Sequence, residues 1–267
     1  MRICFRAPQI RFGWIRLFAL YLAAALPVAA AAAPVASRRP QEPMHRAFLL
    51  RDASGKVLAH GEEIATIQGN LVHSRLTFRF QDGSLDDEQT VFLQDKVFHL
   101  ISDHHVQKGP SFPTPVDLTV DVPSGTVTWH DKHFGHDVTK SQHLSLPDDV
   151  ANGIMPLLVE NFPPGAQEMR VSWVAIAMKP LIVDISVKPH GTEEVDPPGG
   201  HEQANEYILH PELHGFVGFL APLVNKTPGD IHIWVSDDKL PSFARLKGPF
   251  YQGAPDWTVE PAGPARD

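Results

Sequence analysis

The stretch RLTFRFQDGSLDDEQTVF, residues 75–92, decides the fold class. In its first six residues Leu76, Phe78 and Phe80 fall on one face, and polar residues fall on the other. A period of two is typical of a half-buried strand. The Asp-Gly pair at 82–83 favours a hairpin turn, and a second strand follows over about 84–94. The stretch therefore predicts two antiparallel strands joined by a tight turn.

Short strands and turns continue along the rest of the chain. A third strand covers about 97–106, and later ones are predicted at 116–122, 125–130, 168–178, 181–189, 206–213, 230–237 and 256–261. About ten to thirteen strands at this spacing are typical of an antiparallel sandwich or barrel. The 25 prolines fall mostly in the connections, as a sheet requires. We predict an all-β fold in which a curved antiparallel sheet forms an open half-barrel around one or two short helices.

Two segments depart from the strand pattern. In 146–162, Val150, Ile154 and Leu157 are spaced as on a helix, Pro147 suits a first turn, and Gly153 and Pro156 favour a kink or two short helices. We therefore expect a helix over 147–162. The apolar segment 215–224 is either a buried helical turn or a lid over an apolar cavity. Both segments are predicted to pack on the concave face of the sheet.

The N-terminal residues predict export. Four arginines precede an apolar, alanine-rich run over 17–33, which is typical of a secretory signal peptide; an uncleaved anchor is the alternative. We divide the chain into a signal peptide (1–33), a flexible leader (34–44), a single β domain (45–262) and a disordered tail (263–267). The single cysteine, Cys4, lies in the signal, so the exported chain would form no disulfide. These features favour a periplasmic or secreted protein.

The charge of the chain disfavours one class of partner. The net charge is −8 at pH 7, and removal of the signal arginines would make it more negative. Because nucleic acids and anionic lipids are themselves negative, the sequence predicts no nucleic-acid partner. Peripheral membrane contact remains compatible with the sequence.

The run SDHHVQKGP, residues 102–110, holds the strongest candidate polar site. On a strand His104 and His105 point to opposite faces, whereas Asp103 and His105 share one. An Asp103–His105 pair could orient a general base, but it would need a nucleophile or a metal-bound water from elsewhere. The alternative is the polar end of a strand, with Lys108 at its rim. Asp103 and His105 are therefore the candidate catalytic residues.

Other polar motifs are weaker. The histidines of WHDKHFGHD (129–137) are expected at a hairpin tip, where they could hold zinc or copper loosely or simply be hydrated. HEQAN (201–205) lacks the second histidine of the zinc-protease helix, and LDDE (85–88) lacks the spacing of a calcium loop, so we interpret the latter as a solvated turn. The common nucleophile-elbow, phosphate-loop and dinucleotide motifs are missing from the sequence. We expect no metal and no cofactor.

The aromatic residues favour binding over catalysis. Most must form the core, yet a curved sheet with few helices often encloses a cavity. The candidate ligand-binding residues, apolar walls with a polar rim, are Phe78, Phe80, Phe98, His105, Lys108, Phe216, Phe219 and Trp234.

Four segments carry a resemblance: GNLVHSRLTFRFQDGSLDDEQTVF (69–92), ISDHHVQKGPSFPTPVDLTVD (101–121), DDVANGIMPLLVENFPP (148–164) and DIHIWVSDDKLPSFARLKGPFYQGAPDW (230–257). They resemble a family of uncharacterised exported bacterial proteins. That family is distantly similar to the lipoprotein-carrier half-barrel of the Gram-negative periplasm, which holds acyl chains in an apolar cavity. The resemblance implies a lipid or lipoprotein acyl chain as partner and supplies no catalytic residues.

Three functions remain open at this point. The first is a soluble periplasmic binding or carrier protein for an apolar or amphiphilic ligand. The second is a hydrolase or metal-dependent enzyme that uses the Asp103/His105 face. The third is an envelope-assembly protein without a small ligand, which would have a filled interior and an exposed apolar patch.

Overall fold

The computed structural model describes residues 33–133, 136–177, 179–197, 200–212, 229–236 and 241–263. Eight strands make up its first half: β1 (Met44–Arg51), β2 (Val57–Gln68), β3 (Leu71–Phe80), β4 (Leu85–Gln94), β5 (Phe98–Lys108), β6 (Val116–Asp121), β7 (Thr126–His133) and β8 (His136–His143). The second half contains α1 (Met155–Glu160) and six strands: β9 (Met169–Ile176), β10 (Pro180–Val195), β11 (Glu202–Glu212), β12 (Ile231–Ser236), β13 (Phe243–Pro249) and β14 (Asp256–Pro261).

All fourteen strands belong to one antiparallel sheet. Each strand pairs with its neighbour in sequence, and β1 also pairs with β14, so that β8 and β9 lie at the two ends. In the part of the chain that is described, these two ends do not pair with each other. The prediction of an almost all-β, open antiparallel fold with a short helix is confirmed. The described strands number one more than the largest count predicted.

The hairpin that predicted the fold class forms as expected. Strands β3 and β4 pair through Arg79 and Leu85, and the amide of Phe80 donates to the carbonyl of Ser84 at 3.0 Å. Gly83 adopts a φ of 86°, which a residue without a Cβ tolerates easily. Phe78 and Phe80 are buried, and Arg75 and Arg79 lie on the exposed face.

The sheet curls so that its distant strands share one core. Val127 on β7 and Val171 on β9 are both fully buried in the same apolar cluster. In the order of the strands, however, β9 is one end of the sheet and β7 is next to the other end, β8. Met155, Leu158 and Val159 of α1 belong to this cluster too. A flat sheet of this width could not bring both ends to one helix. The inner face of the sheet is therefore the face that surrounds α1.

Residues 149–161, which we call the crossing segment, attach to the β9 end of the sheet. Val150 forms a parallel bridge with Ser172, and the amide of Ala151 donates to the carbonyl of Ser172 at 2.8 Å. The side-chain amide of Asn152 then donates to the carbonyl of Val174 at 2.9 Å and accepts from its N–H at 2.8 Å. Backbone groups that a sheet edge would leave open are thereby satisfied.

The helix is shorter than predicted. The sequence predicts a helix over 147–162, but α1 begins at Met155. Pro156 suits only a first helical turn, since it has no N–H to donate, and Gly153 before it has a φ of 68°. Asp149 lies before the helix, and its side chain accepts a hydrogen bond from the Ser172 hydroxyl at 3.1 Å.

The predicted flexible leader contacts the domain instead. Val35 is buried, and Ala36 forms an antiparallel bridge with Val97. The amides of Arg38 and Arg39 donate to the side-chain oxygen of Asn161 at 3.1 and 2.7 Å. Composition suggested a free linker, but these long-range contacts hold the segment in place.

The apolar segment 215–224 lies outside the described residues. The predicted signal peptide also lies outside them, except for its last residue, and so does the predicted tail apart from residue 263. Among the helices that are described, none is long and apolar enough to cross a membrane.

Gly153 fixes where the crossing segment meets the middle of the sheet. A Cβ at this position would lie 2.1 Å from Thr90 Oγ1 and 2.6 Å from Asp103 Oδ1. Close packing onto β4 and β5 thus requires glycine here, and its positive φ also favours glycine.

We expect Gly153→Ala to destabilise the protein more than Gly165→Ala. Both glycines have positive φ, 68° and 73°, so both variants carry backbone strain of about 1–2 kcal/mol. A Cβ at Gly165 has nothing within 4 Å, whereas at Gly153 overpacking adds about 1–3 kcal/mol. Denaturant unfolding measures the difference. Equal losses in the two variants would show that the crossing segment does not pack against Thr90 and Asp103.

Candidate functional site

A cavity of about 260 Å³ lies between α1 and the inner face of the sheet. Both halves of the sheet and the helix contribute its apolar walls. The walls include Leu76, Phe78, Phe92, Met155, Leu209 and Ile233. The cavity is therefore a gap in the core that the curled sheet and the crossing segment jointly line.

One part of this cavity is polar because β4 and β5 turn three cross-strand pairs inward. The opposed residues are Asp86 with Gln107, Glu88 with His105, and Thr90 with Asp103. A bulge in β5 shifts the register between Val91 and Phe92 of β4. Without that extra residue, the alternation that buries Phe98 and Leu100 would turn Asp103 and His105 outward. The bulge therefore places the polar group on the cavity side.

His105 and Asp86 form an ion pair at the cavity wall. His105 Nε2 lies 2.8 Å from Asp86 Oδ1, and the Gln107 side-chain amide donates to Asp86 Oδ2 at 3.1 Å. Burial alone would lower the pKa of His105, but Asp86, Glu88 and Asp103 raise it to about 10. The imidazole is therefore a cation at neutral pH, and its Nε2 donates to Asp86.

Asp103 lies behind this pair and is only 1% exposed. Its Oδ1 accepts a hydrogen bond from the Thr90 hydroxyl at 3.0 Å, whereas its Oδ2 has no partner among the described residues. Burial raises the pKa of Asp103 well above its usual range, and the neighbouring charge of Glu88 adds to this effect. Burial therefore favours the neutral form of this carboxyl group.

A second polar group lines the cavity from β1, β2 and α1. Burial raises the pKa of Glu63 to about 7, and the nearby Arg46 opposes the shift. Burial likewise raises the pKa of Glu160, at the end of α1, with Arg46 again opposing it. Glu160 also accepts a hydrogen bond from the amide of Phe243 at 2.9 Å, and Glu63 accepts one from the Ser74 hydroxyl at 3.3 Å.

The structure brings some of the predicted site residues to the cavity. Phe78 and His105 line it. Asp103 shares the face of His105, as the strand alternation predicts, but the partner of His105 is Asp86. His104 points away and pairs with Asp117 at 3.0 Å.

The other predicted ligand residues lie elsewhere. Phe80 packs against Phe112 and Trp257 in a neighbouring cluster, and Phe98 packs against Phe92 in the main core. Lys108 is exposed at the end of β5. Trp234 is on the opposite face of β12 from the cavity residue Ile233, under the guanidinium of Arg245. Phe216 and Phe219 lie outside the described residues.

LDDE (85–88) is not the solvated turn that we predicted. It begins β4, where Asp86 and Asp87 are 6% and 5% exposed. Asp86 and Glu88 face the cavity, and Asp87 pairs with Arg75 on the other face. The alternation of Asp86, Glu88, Thr90 and Phe92 was the available signal, since it continues the inward parity of a strand. Their charge favoured the solvated interpretation.

Two other polar motifs are in strands. The WHDKHFGHD run covers the end of β7 and the start of β8, apart from residues 134–135, which lie outside the described residues. All of HEQAN except His201 belongs to β11. Near the β10–β11 turn, Glu194, Asp196 and His201 hold potential metal-ligating atoms within 4.8 Å of one another. All three residues are exposed, and His201 contacts both acids.

The comparisons with known proteins identify no family for this chain. No family description matches it, and no curated protein matches it. The chain is similar to a crystal structure of a beta-barrel-like protein of the domain of unknown function DUF1849 from Brucella abortus. The two are 11% identical, with a TM-score of 0.44 over 84% of this chain and 98% of that one.

The His105–Asp86 pair predicts how stability depends on pH. The pKa of His105 is about 10 in the folded protein against 6.5 ordinarily, so the folded state holds this proton more tightly. Its stabilisation is full below about pH 6.5 and is lost as the pH rises to 10. We expect Asp86→Asn to reduce this loss in unfolding experiments and to lower the titration midpoint of His105 in NMR spectra.

Asp117→Asn is the matched control, because Asp117 pairs with His104 on the other face of β5. It should leave the His105 midpoint unchanged. A His105 midpoint near 6.5 in the unsubstituted protein would contradict the ion pair.

Proposed function

We propose that this chain is an exported binding or carrier protein for an apolar or amphiphilic small molecule. The observation that carries the proposal is the cavity under α1, whose walls are mainly apolar and include two groups of charged side chains. Ligand sites commonly combine such walls with a few polar groups that fix orientation.

The size of the cavity limits the ligand. At about 260 Å³ it lies just below the range of roughly 300–1,000 Å³ that is common for small-molecule sites. This volume suits a single short alkyl chain better than a lipid with several chains. Each buried methylene would contribute about 0.8 kcal/mol to affinity before the costs of ordering.

Two features of the sequence support the exported, carrier part of the proposal. Residues 1–33 have the pattern of a secretory signal, and four segments resemble exported proteins with similarity to the periplasmic lipoprotein-carrier half-barrel. By this analogy the ligand is an acyl or alkyl chain that crosses an aqueous compartment inside the protein.

The two other functions have less support. A hydrolase that uses His105 as a base would need a neutral imidazole, but the pair with Asp86 keeps it protonated, and the Thr90 hydroxyl is bonded to Asp103. An assembly protein would need an exposed apolar patch. Among the described residues, Ile64 is the one large apolar side chain that is exposed, at 42%.

Native mass spectrometry of protein purified from the periplasm, followed by denaturing extraction, tests the proposal. We expect a co-purified amphiphile that is stoichiometric in the unsubstituted protein and lost from Leu76→Trp, because Leu76 lines the cavity and tryptophan would fill it. Ile64→Trp, on the exposed face of β2, should retain the ligand. A clean apo mass, together with no binding of added alkyl amphiphiles, would contradict the proposal.

A further inference from the structure

The charges around the cavity indicate which head group it accepts. We propose that the ligand is an amphiphile with a cationic head group, an alkyl amine or alkyl quaternary ammonium, rather than a fatty acid. This inference rests on the proposed function and adds the chemical class of the ligand.

Acidic side chains outnumber basic ones at the cavity wall. Glu63, Asp86, Glu88 and Glu160 face Arg46 and His105. The His105–Asp86 pair neutralises one charge of each sign, which leaves three carboxyl groups for a single guanidinium. Arg46 interacts electrostatically with both Glu63 and Glu160. Glu88 is therefore the remaining carboxyl group, and Arg46 does not contribute to its electrostatic environment.

Glu88 also lacks a hydrogen-bond partner among the described residues. Burial raises its pKa, the charge of His105 opposes that shift, and Asp86 adds to it, with no hydrogen bond contributing. Asp87 beside it in sequence accepts three side-chain partners on the other face of β4. In contrast to Asp87, Glu88 faces the cavity, and its carboxyl group accepts no hydrogen bond from the described residues.

Asp103 provides an independent observation at the same place. It is 1% exposed, it neighbours Glu88 electrostatically, and its Oδ2 has no partner among the described residues. Asp103 lies behind the cavity wall, next to Glu88, and its unused oxygen leaves a second buried carboxyl group incompletely hydrogen-bonded there. A cation beside Glu88 would favour the ionised form of these buried carboxyl groups, whereas an anionic head group would disfavour it further.

Aromatic side chains add to the fit for a quaternary ammonium. Phe78, Phe92, Phe250 and Trp173 line the same cavity. The faces of aromatic rings attract cations, and desolvated sites for quaternary ammonium groups are commonly built from them. The same cavity thus combines the carboxyl group of Glu88, aromatic side chains and space for an alkyl chain.

The first test compares three ten-carbon probes that differ in head group: decyltrimethylammonium, decanol and decanoate. Isothermal titration calorimetry at pH 8, below the micelle-forming concentrations, measures their affinities. We expect decyltrimethylammonium to bind about tenfold more tightly than decanoate, with decanol between them. Equal or tighter binding of decanoate would overturn the cationic head group while supporting the proposed function. Failure of all three probes would overturn both.

Substitution of single carboxyl groups locates the head group. Glu88→Gln and Glu63→Gln should each weaken decyltrimethylammonium binding about fivefold or more and leave decanol binding unchanged. Glu62→Gln is the matched control, since Glu62 is next to Glu63 but exposed on the other face of β2, where it pairs with His45. Unchanged affinity for decyltrimethylammonium in both inward variants would overturn the inference.

The pH dependence supplies a readout that a structural role would not produce. Decyltrimethylammonium has a fixed charge, so only protein groups titrate. Because the pKa of Glu63 is about 7, its carboxylate forms between pH 6 and 8, and affinity should rise over that range. The rise should be smaller in Glu63→Gln and absent for decanol. A fall in affinity over the same range would contradict the inference.

Discussion

The two hydrogen bonds between the Asn152 side chain and the backbone of Val174 hold the rest of the architecture in place. They tie the crossing segment to β9, one end of the sheet, while Gly153 in the same segment packs onto Thr90 and Asp103 in the other half. Asn161 then binds the backbone of the leader. One short piece of chain therefore contacts two distant parts of the sheet and the leader. The sheet has to curl to allow this, and the curl encloses the cavity.

The charged residues of the cavity are costly for a core, which makes their presence informative. A buried ion pair such as His105–Asp86 seldom stabilises a protein more than apolar side chains of similar volume would. Glu63, Glu88 and Asp103 add carboxyl groups whose pKa values burial raises. Cores that serve folding alone exclude such groups or satisfy them fully. Their position beside an apolar space is what a site for an amphiphile requires.

Local patterns predicted the strands, and non-local contacts decided the site. The alternation around Phe78 was enough for the β3–β4 hairpin, and the alternation within 102–110 placed Asp103 and His105 on one face. The partner of His105 is Asp86, 19 residues away, and finding it would have required the register and bulge between β4 and β5. The docking of the leader depends on Asn161, more than 120 residues along the chain. The composition of residues 34–44 predicted a flexible leader, because composition cannot reveal a hydrogen-bond partner as distant in sequence as Asn161.

The most direct test of the cavity as the binding site is a crystal structure of the protein with a bromine-labelled chain. In (10-bromodecyl)trimethylammonium the bromine marks the far end of the alkyl chain from the head group. We expect its anomalous density under α1, among Met155, Leu209 and Ile233, with the ammonium group beside Glu88. Bromine density only on the outer surface of the sheet, at a concentration that saturates binding, would contradict the central claim.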